Sequence, residues 1–103
     1  MSIVAIARLY PKPGHTTDVL AALAYASPSI LAEQGCELYA GHEAPDGTIL
    51  MIEKWATQAD LDAHLAGEPV RAYRDARAPF EERTPQLEIL TPLEGADPER
   101  GMI

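Results

Sequence analysis

The chain has 103 residues, 47% hydrophobic and 23% charged, the composition of one ordinary globular domain with no room for a second catalytic one. Sixteen Asp and Glu stand against eight Lys and Arg, and the net charge of -8 repels phosphate backbones and anionic headgroups, so neither nucleic acid nor a membrane is an expected partner. The lone Cys36 cannot close an internal disulfide, no uncharged stretch reaches the ~20 apolar residues of a bilayer span, and no signal-peptide pattern is read, which makes the cytoplasm the expected location.

Ile3 to Tyr10 is β-branched and aromatic-rich and stops at Pro11-Lys-Pro-Gly14, so it is expected to be a strand. Thr16 or Thr17 can cap a helix in which Val19, Leu20, Leu23, Ile30 and Leu31 recur on one face. Pro28 lies inside that pattern and predicts a kink, or a restart capped by Ser27, before Gly35 ends the element. Cys36 to Glu43 and Thr48 to Trp55 flank Ala44-Pro45-Asp46-Gly47, a turn sequence, and are expected to pair as a hairpin. Thr57 can cap a short helix through Leu65, with Gly67 as its stop. Pro69 suits the first turn of another, which carries Val70, Tyr73 and Phe80 at helical spacing and ends at Pro79. Pro85 to Leu93 supplies a fourth strand. Residues 1–93 are therefore expected to form the domain and 94–103 a tail.

The order βαββαβ specifies an α+β, ferredoxin-like antiparallel sheet with helices on one face. Its other face should be polar, yet strand one is apolar at Val4 and Ile6 as well as at Ile3, Ala5, Ala7 and Leu9, and strand three is apolar on both sides. No further helix is at hand to cover that second face. A second copy of the sheet is the expected cover, which gives a homodimer.

Four stretches resemble one family: Ile3-Val-Ala-Ile-Ala-Arg-Leu with Pro13-Gly14, Ala32-Glu-Gln-Gly-Cys-Glu-Leu38, Met51-Ile-Glu-Lys-Trp55 and Leu61-Asp-Ala-His-Leu65. In that order and at those spacings they are similar to the antibiotic biosynthesis monooxygenase domain over Ile3 to about Leu93. The resemblance implies a dimeric α+β barrel with a pocket in each subunit between sheet and helices. It also implies oxidation of a small aromatic hydroquinone or anthrone by O2 without metal or flavin. An isomerase using the same pocket, and a non-catalytic binding or stress-response protein, are the alternatives. The chain departs from the family where a second histidine often stands, here Pro69. Haem-degrading relatives carry Asn, Trp and His at positions that align with Ala7, His64 and Arg74, so haem chemistry is disfavoured.

Among the candidate residues, His64 falls on the apolar side of its helix, where imidazole could take a proton from a bound phenol, with Asp60 one turn earlier to hold the ring. Its alternative is a core histidine bonded to a backbone carbonyl. Glu53, Trp55 and Met51 share one strand face. Trp55 could stack on a planar substrate and Glu53 bond its hydroxyl, although an ion pair with an arginine such as Arg8 is the stronger reading of Glu53. Tyr73 could donate to a developing oxyanion, and Phe80 continues its stripe as a pocket wall or simply as core. Arg74, in line with Arg71 and Arg77, either attracts an anionic substrate or marks a solvated face. Tyr39 and His42 fall on opposite faces of their strand, and Cys36 is expected to be buried and inert. His15, His42, His64 and Cys36 lack the paired spacings of zinc sites, and no glycine-rich phosphate loop occurs, so neither metal nor nucleotide cofactor is expected.

Overall fold

The computed structural model describes residues 2–103. Its elements follow the order β1 (Ile3–Pro11), α1 (Thr16–Leu31), β2 (Cys36–Glu43), β3 (Ile49–Trp55), α2 (Gln58–Ala66), α3 (Glu68–Arg77), a 3-10 turn over Ala78–Phe80, and β4 (Glu81–Leu90). The strands form one antiparallel sheet in the order β2-β3-β1-β4, the ferredoxin-like arrangement, with all helices packed on one face.

The period-2 rule sorts β3 cleanly: Ile49, Met51, Glu53 and Trp55 are buried under the helices, while Leu50, Ile52 and Lys54 point the other way and are half-buried. Ala5 and Leu9 of β1 join the inner set, and Val19, Ala26 and Ile30 of α1, Leu61 of α2 and Tyr73 of α3 close the core over them. On that inner face Tyr39, Glu53, Ala5 and Ile89 form one cross-strand row, and Gly41, Met51, Ala7 and Leu87 the next. A Cβ on Gly41 would stand 3.0 Å from Leu23 Cδ2 and 3.2 Å from Met51 Sδ, so the bare backbone there lets α1 close onto the sheet.

Three expectations need correction. The helix α1 runs unbroken through Pro28, with neither a restart nor a Ser27 cap. Pro28 is exposed, so water can serve the carbonyl of Ala24 that its missing N–H leaves free, and Ser27 Oγ donates to the Leu23 carbonyl at 2.7 Å. Neither Thr16 nor Thr17 caps the helix, since His15 holds that position, and Leu20 and Leu31 lie on its exposed side. Finally, β4 spans Glu81–Leu90 rather than 85–93. It is an edge strand, and the register jump between Arg8↔Gln86 and Tyr10↔Arg83 leaves Thr84 and Pro85 opposite Leu9 in a bulge, which is where an edge strand tolerates proline.

Thr57 caps α2 as expected, its hydroxyl accepting from the Asp60 N–H at 3.1 Å, and Pro69 sits in the first turn of α3. Among the described residues no helix is long and apolar enough to cross a membrane.

Candidate active site

A cavity of about 340 Å3 opens between the inner sheet face, α2 and the face of α3 that carries Val70, Tyr73 and Arg77. Its floor is Ala7, Leu9 and Met51. His64, Glu53, Tyr39, Tyr73, Arg77 and Glu81 contribute polar lining. This scale and an apolar floor with few polar groups suit a small planar molecule.

His64 is only 2% exposed. Capping of α2 by Thr57 fixes the helix so that its last turn lays the imidazole flat on the Trp55 indole, with ring centroids 4.5 Å apart and an interplanar angle of 28°. The edge of Tyr39 meets the same ring at 5.8 Å. His64 Nδ1 lies 2.8 Å from Glu33 Oε1, in the turn between α1 and β2. A carboxylate only accepts, so Nδ1 carries the hydrogen, and in the neutral ring the lone pair stands on Nε2. Glu53 Oε1 lies 3.8 Å from that Nε2, too far for a hydrogen bond, and it accepts from Trp55 Nε1 at 3.0 Å.

Burial pushes the Glu53 carboxyl above its ordinary range, against the Trp55 hydrogen bond and the His64 charge that pull it down. Burial likewise pushes the Tyr39 phenol far up, with Glu53 adding to the effect, so Tyr39 stays a neutral hydroxyl. The Cys36 thiol is also raised, chiefly by burial, and remains protonated.

On α3, Tyr73 is 3% and Arg77 6% exposed, and the guanidinium stacks on the Tyr73 ring at 4.2 Å. Arg77 Nε is 3.2 Å from Glu81 Oε1, a charge contact outside hydrogen-bonding geometry. The Tyr73 phenol is also raised, mainly by burial and against the Arg77 charge.

The cavity thus brings together His64, Tyr73, Met51, Glu53 and Arg74. It does not reach Trp55, fully buried behind the imidazole with its N–H spent on Glu53, nor Phe80, which stacks on His15 at 5.5 Å after the chain has left α3. Glu53 has no arginine beside it: Arg8 emerges on the opposite sheet face, where its Nη1 donates to Thr48 Oγ1 at 2.7 Å. Asp60 packs against Gly35 rather than on the imidazole, and Glu33 takes the place expected of it. Arg71 pairs with Glu68 on the surface, and Arg74 Nη2 donates to the Leu65 carbonyl at 3.1 Å, so the three arginines do not form one anion site.

Glu33 and Glu81 were not named by sequence reasoning, Tyr39 was set aside as belonging to no motif, and Arg77 entered only in line with Arg71 and Arg74. Two of them had a signal. Tyr39 pairs with Glu53 once the hairpin register is drawn from its turn, and Arg77 stands four residues after Tyr73 on the same helical face. Glu33, 31 residues from His64, had none.

The sequence model of the family described as antibiotic biosynthesis monooxygenase matches residues 2–76. The chain is 34% identical over 87 residues to the protein described as "Probable quinol monooxygenase YgiN" of Escherichia coli K12, covering 74% of this chain and 83% of that one. Among solved structures, Rv0793 from Mycobacterium tuberculosis superposes with a TM-score of 0.83 at 26% identity, over 94% of this chain and all of the other. NE2512 from Nitrosomonas europaea, described as a protein of unknown function, gives 0.82 at 26% identity and 94% coverage of both. With the family model spanning so much of the sequence, the chain belongs to the antibiotic biosynthesis monooxygenase family.

Proposed function

We propose that the protein is a monooxygenase that oxidises a small aromatic hydroquinone with O2, using His64 as its general base and no cofactor. The observation that carries this reading is the pairing at His64: Glu33 fixes the Nδ1 hydrogen at 2.8 Å, which leaves Nε2 free at the cavity wall beside Glu53. Nε2 takes the phenolic proton, and the carboxylate 3.8 Å away stabilises the resulting imidazolium. The quinolate is then electron-rich enough to pass an electron to O2. Collapse of the radical pair forms a C–O bond, and loss of water from the ring hydroperoxide leaves a carbonyl. One hydroquinone and one O2 give one hydroxyquinone and one water. The apolar floor of Ala7, Leu9 and Met51 supplies a dry surface for the ring and for O2. Similarity to a protein described as a quinol monooxygenase supports the substrate class.

Two further parts of the proposal rest on the sequence pattern: a homodimer through the open sheet face, and a cytoplasmic location, for which the single cysteine calls for no oxidising compartment. The catalytic reading is tested by oxygen consumption with reduced naphthoquinones. Wild type should consume O2 faster than buffer alone, and His64→Ala, checked for folding, should lose roughly 10²-fold in kcat/KM. A folded variant with full activity would remove His64 as the base.

A further inference from the structure

His64 and Glu53 line the cavity although they are only 2% and 4% exposed, and each spends one polar atom inside the protein: His64 Nδ1 on Glu33, and Glu53 Oε1 on the Trp55 N–H. The second atom of each, His64 Nε2 and Glu53 Oε2, makes no hydrogen bond. Among the described residues, the partnerless polar atoms sealed from water are Tyr73 Oη, Arg77 Nε and Glu81 Oε2, and neither Nε2 nor Oε2 of this pair is one of them. The little surface that His64 and Glu53 keep therefore includes these two atoms, and the space both residues border is the cavity. Both atoms accept: Nε2 because Glu33 holds the ring hydrogen on Nδ1, and Oε2 as a carboxylate oxygen. The oxygens of one carboxylate are about 2 Å apart, so with Oε1 3.8 Å from Nε2 the two free acceptors stand no more than about 6 Å from each other.

We infer that His64 Nε2 and Glu53 Oε2 together receive two adjacent hydroxyls, so that the preferred substrate is an aromatic 1,2-diol rather than a 1,4-diol. The inference rests on the hydroquinone reading above and narrows its substrate class. Neighbouring hydroxyls on a ring can each donate to one of two acceptors at that separation. Hydroxyls at opposite ends of a ring have its whole width between their oxygens and a further ~2.7 Å to each acceptor, so only one of them can be met by this pair. With a 1,2-diol, Nε2 takes the proton of one hydroxyl while Oε2 accepts from its neighbour, in a charge-assisted bond about twice as strong as a neutral one. The second bond also fixes which ring oxygen faces the imidazole. A ring with its second hydroxyl elsewhere leaves Oε2 unmet beside an apolar floor, and a site built to bond a hydroxyl rejects the analogue that does not present one.

Anaerobic calorimetric titration with 1,2-dihydroxynaphthalene and with 1,4-dihydroxynaphthalene tests this, because the two differ only in where the second hydroxyl stands and without O2 no turnover intervenes. Wild type should bind the 1,2-diol at least tenfold more tightly than the 1,4-diol. In Glu53→Gln the Trp55 N–H holds the amide oxygen and the NH2 group takes the place of Oε2, so the second hydroxyl loses its acceptor. Affinity for the 1,2-diol should then fall at least tenfold, while that for the 1,4-diol stays within about threefold. A merely structural role for Glu53 would weaken both ligands together and leave their ratio unchanged, and that result overturns the proposal, as does a wild type that binds both equally, prefers the 1,4-diol or binds neither. Should the Glu53→Gln protein fail to fold, the wild-type ratio still decides. Oxygen uptake separates the two readings: a 1,2-diol preference without uptake removes the monooxygenase and leaves the diol site, whereas uptake with no preference between the diols removes the diol site and leaves the monooxygenase.

Discussion

At Glu53 the sheet buries a carboxyl with no arginine beside it, and burial holds its proton more tightly in the folded chain than in the unfolded one. The sign of the linkage follows: where the native state binds more protons, stability falls as pH rises from the ordinary carboxylate value of 4.5 through the raised folded value. Above that window Glu53 is a net cost to stability, which the proposed role beside His64 would account for. Glu53→Gln keeps an acceptor for the Trp55 N–H and removes the buried charge. The variant should therefore be unchanged to about 2 kcal/mol more stable than wild type at pH 7, with the difference shrinking toward pH 4.5. Urea unfolding at several pH values checks this; a variant equally destabilised throughout would mean that the carboxylate is paid back by native contacts. Its oxygen consumption should fall even where its stability rises, since Nε2 loses the charge beside it.

The turn between α1 and β2 is the element that carries Glu33 to His64, and its geometry depends on Gly35, whose φ of +77° lies in the left-handed region. A Cβ there would also fall into the Asp60 side chain, 2.7 Å from its Cβ, so α2 closes against bare backbone. Gly35→Ala should destabilise the fold by about 2 kcal/mol, measured as a lowered urea midpoint, and should reduce kcat more than KM because Glu33 is displaced while the cavity floor stays in place. Equal stability of variant and wild type would show that the turn can relax. The sequence made most of these elements legible, since the Pro-Asp-Gly turn, the Thr57 cap and the alternation of Ile49, Met51, Glu53 and Trp55 are local signals. It misled wherever the outcome depended on solvent or on a distant partner. Pro28 reads as a break until it is seen on the exposed side of α1, and Pro85 reads as a strand start until the bulge opposite Leu9 is seen. His64 could be placed on an inward helix face by periodicity, but the Glu33 at its Nδ1 does not lie within a turn of it. Spacing arguments do not span such distances.

For the molecule as a whole, the outer sheet face is the surface that no helix covers. The helices are spent on the inner face, yet half-buried Ile6, Leu38, Ala40, Leu50 and Ile52 and exposed Leu90 project from the other side of the four strands. A solvated face of an antiparallel sheet would alternate toward polar side chains, and an apolar one of this breadth marks an interface. At the edge, β4 leaves Leu87 43% and Ile89 47% exposed beside the cavity, so apolar surface remains uncovered there too. On the proposed homodimer, a second copy packed sheet to sheet across a two-fold axis would cover the outer face of both chains at once. Light scattering at micromolar concentration should give about twice the chain mass of 11.2 kDa. Ile52→Glu, at the middle of β3 and away from the cavity, should place two like charges near the axis and shift the protein to monomer, while the same substitution at exposed Tyr25 on α1 should leave the dimer intact. A wild type that stays folded as a monomer at those concentrations would mean that the sheet face tolerates water, and the homodimer would have to be abandoned.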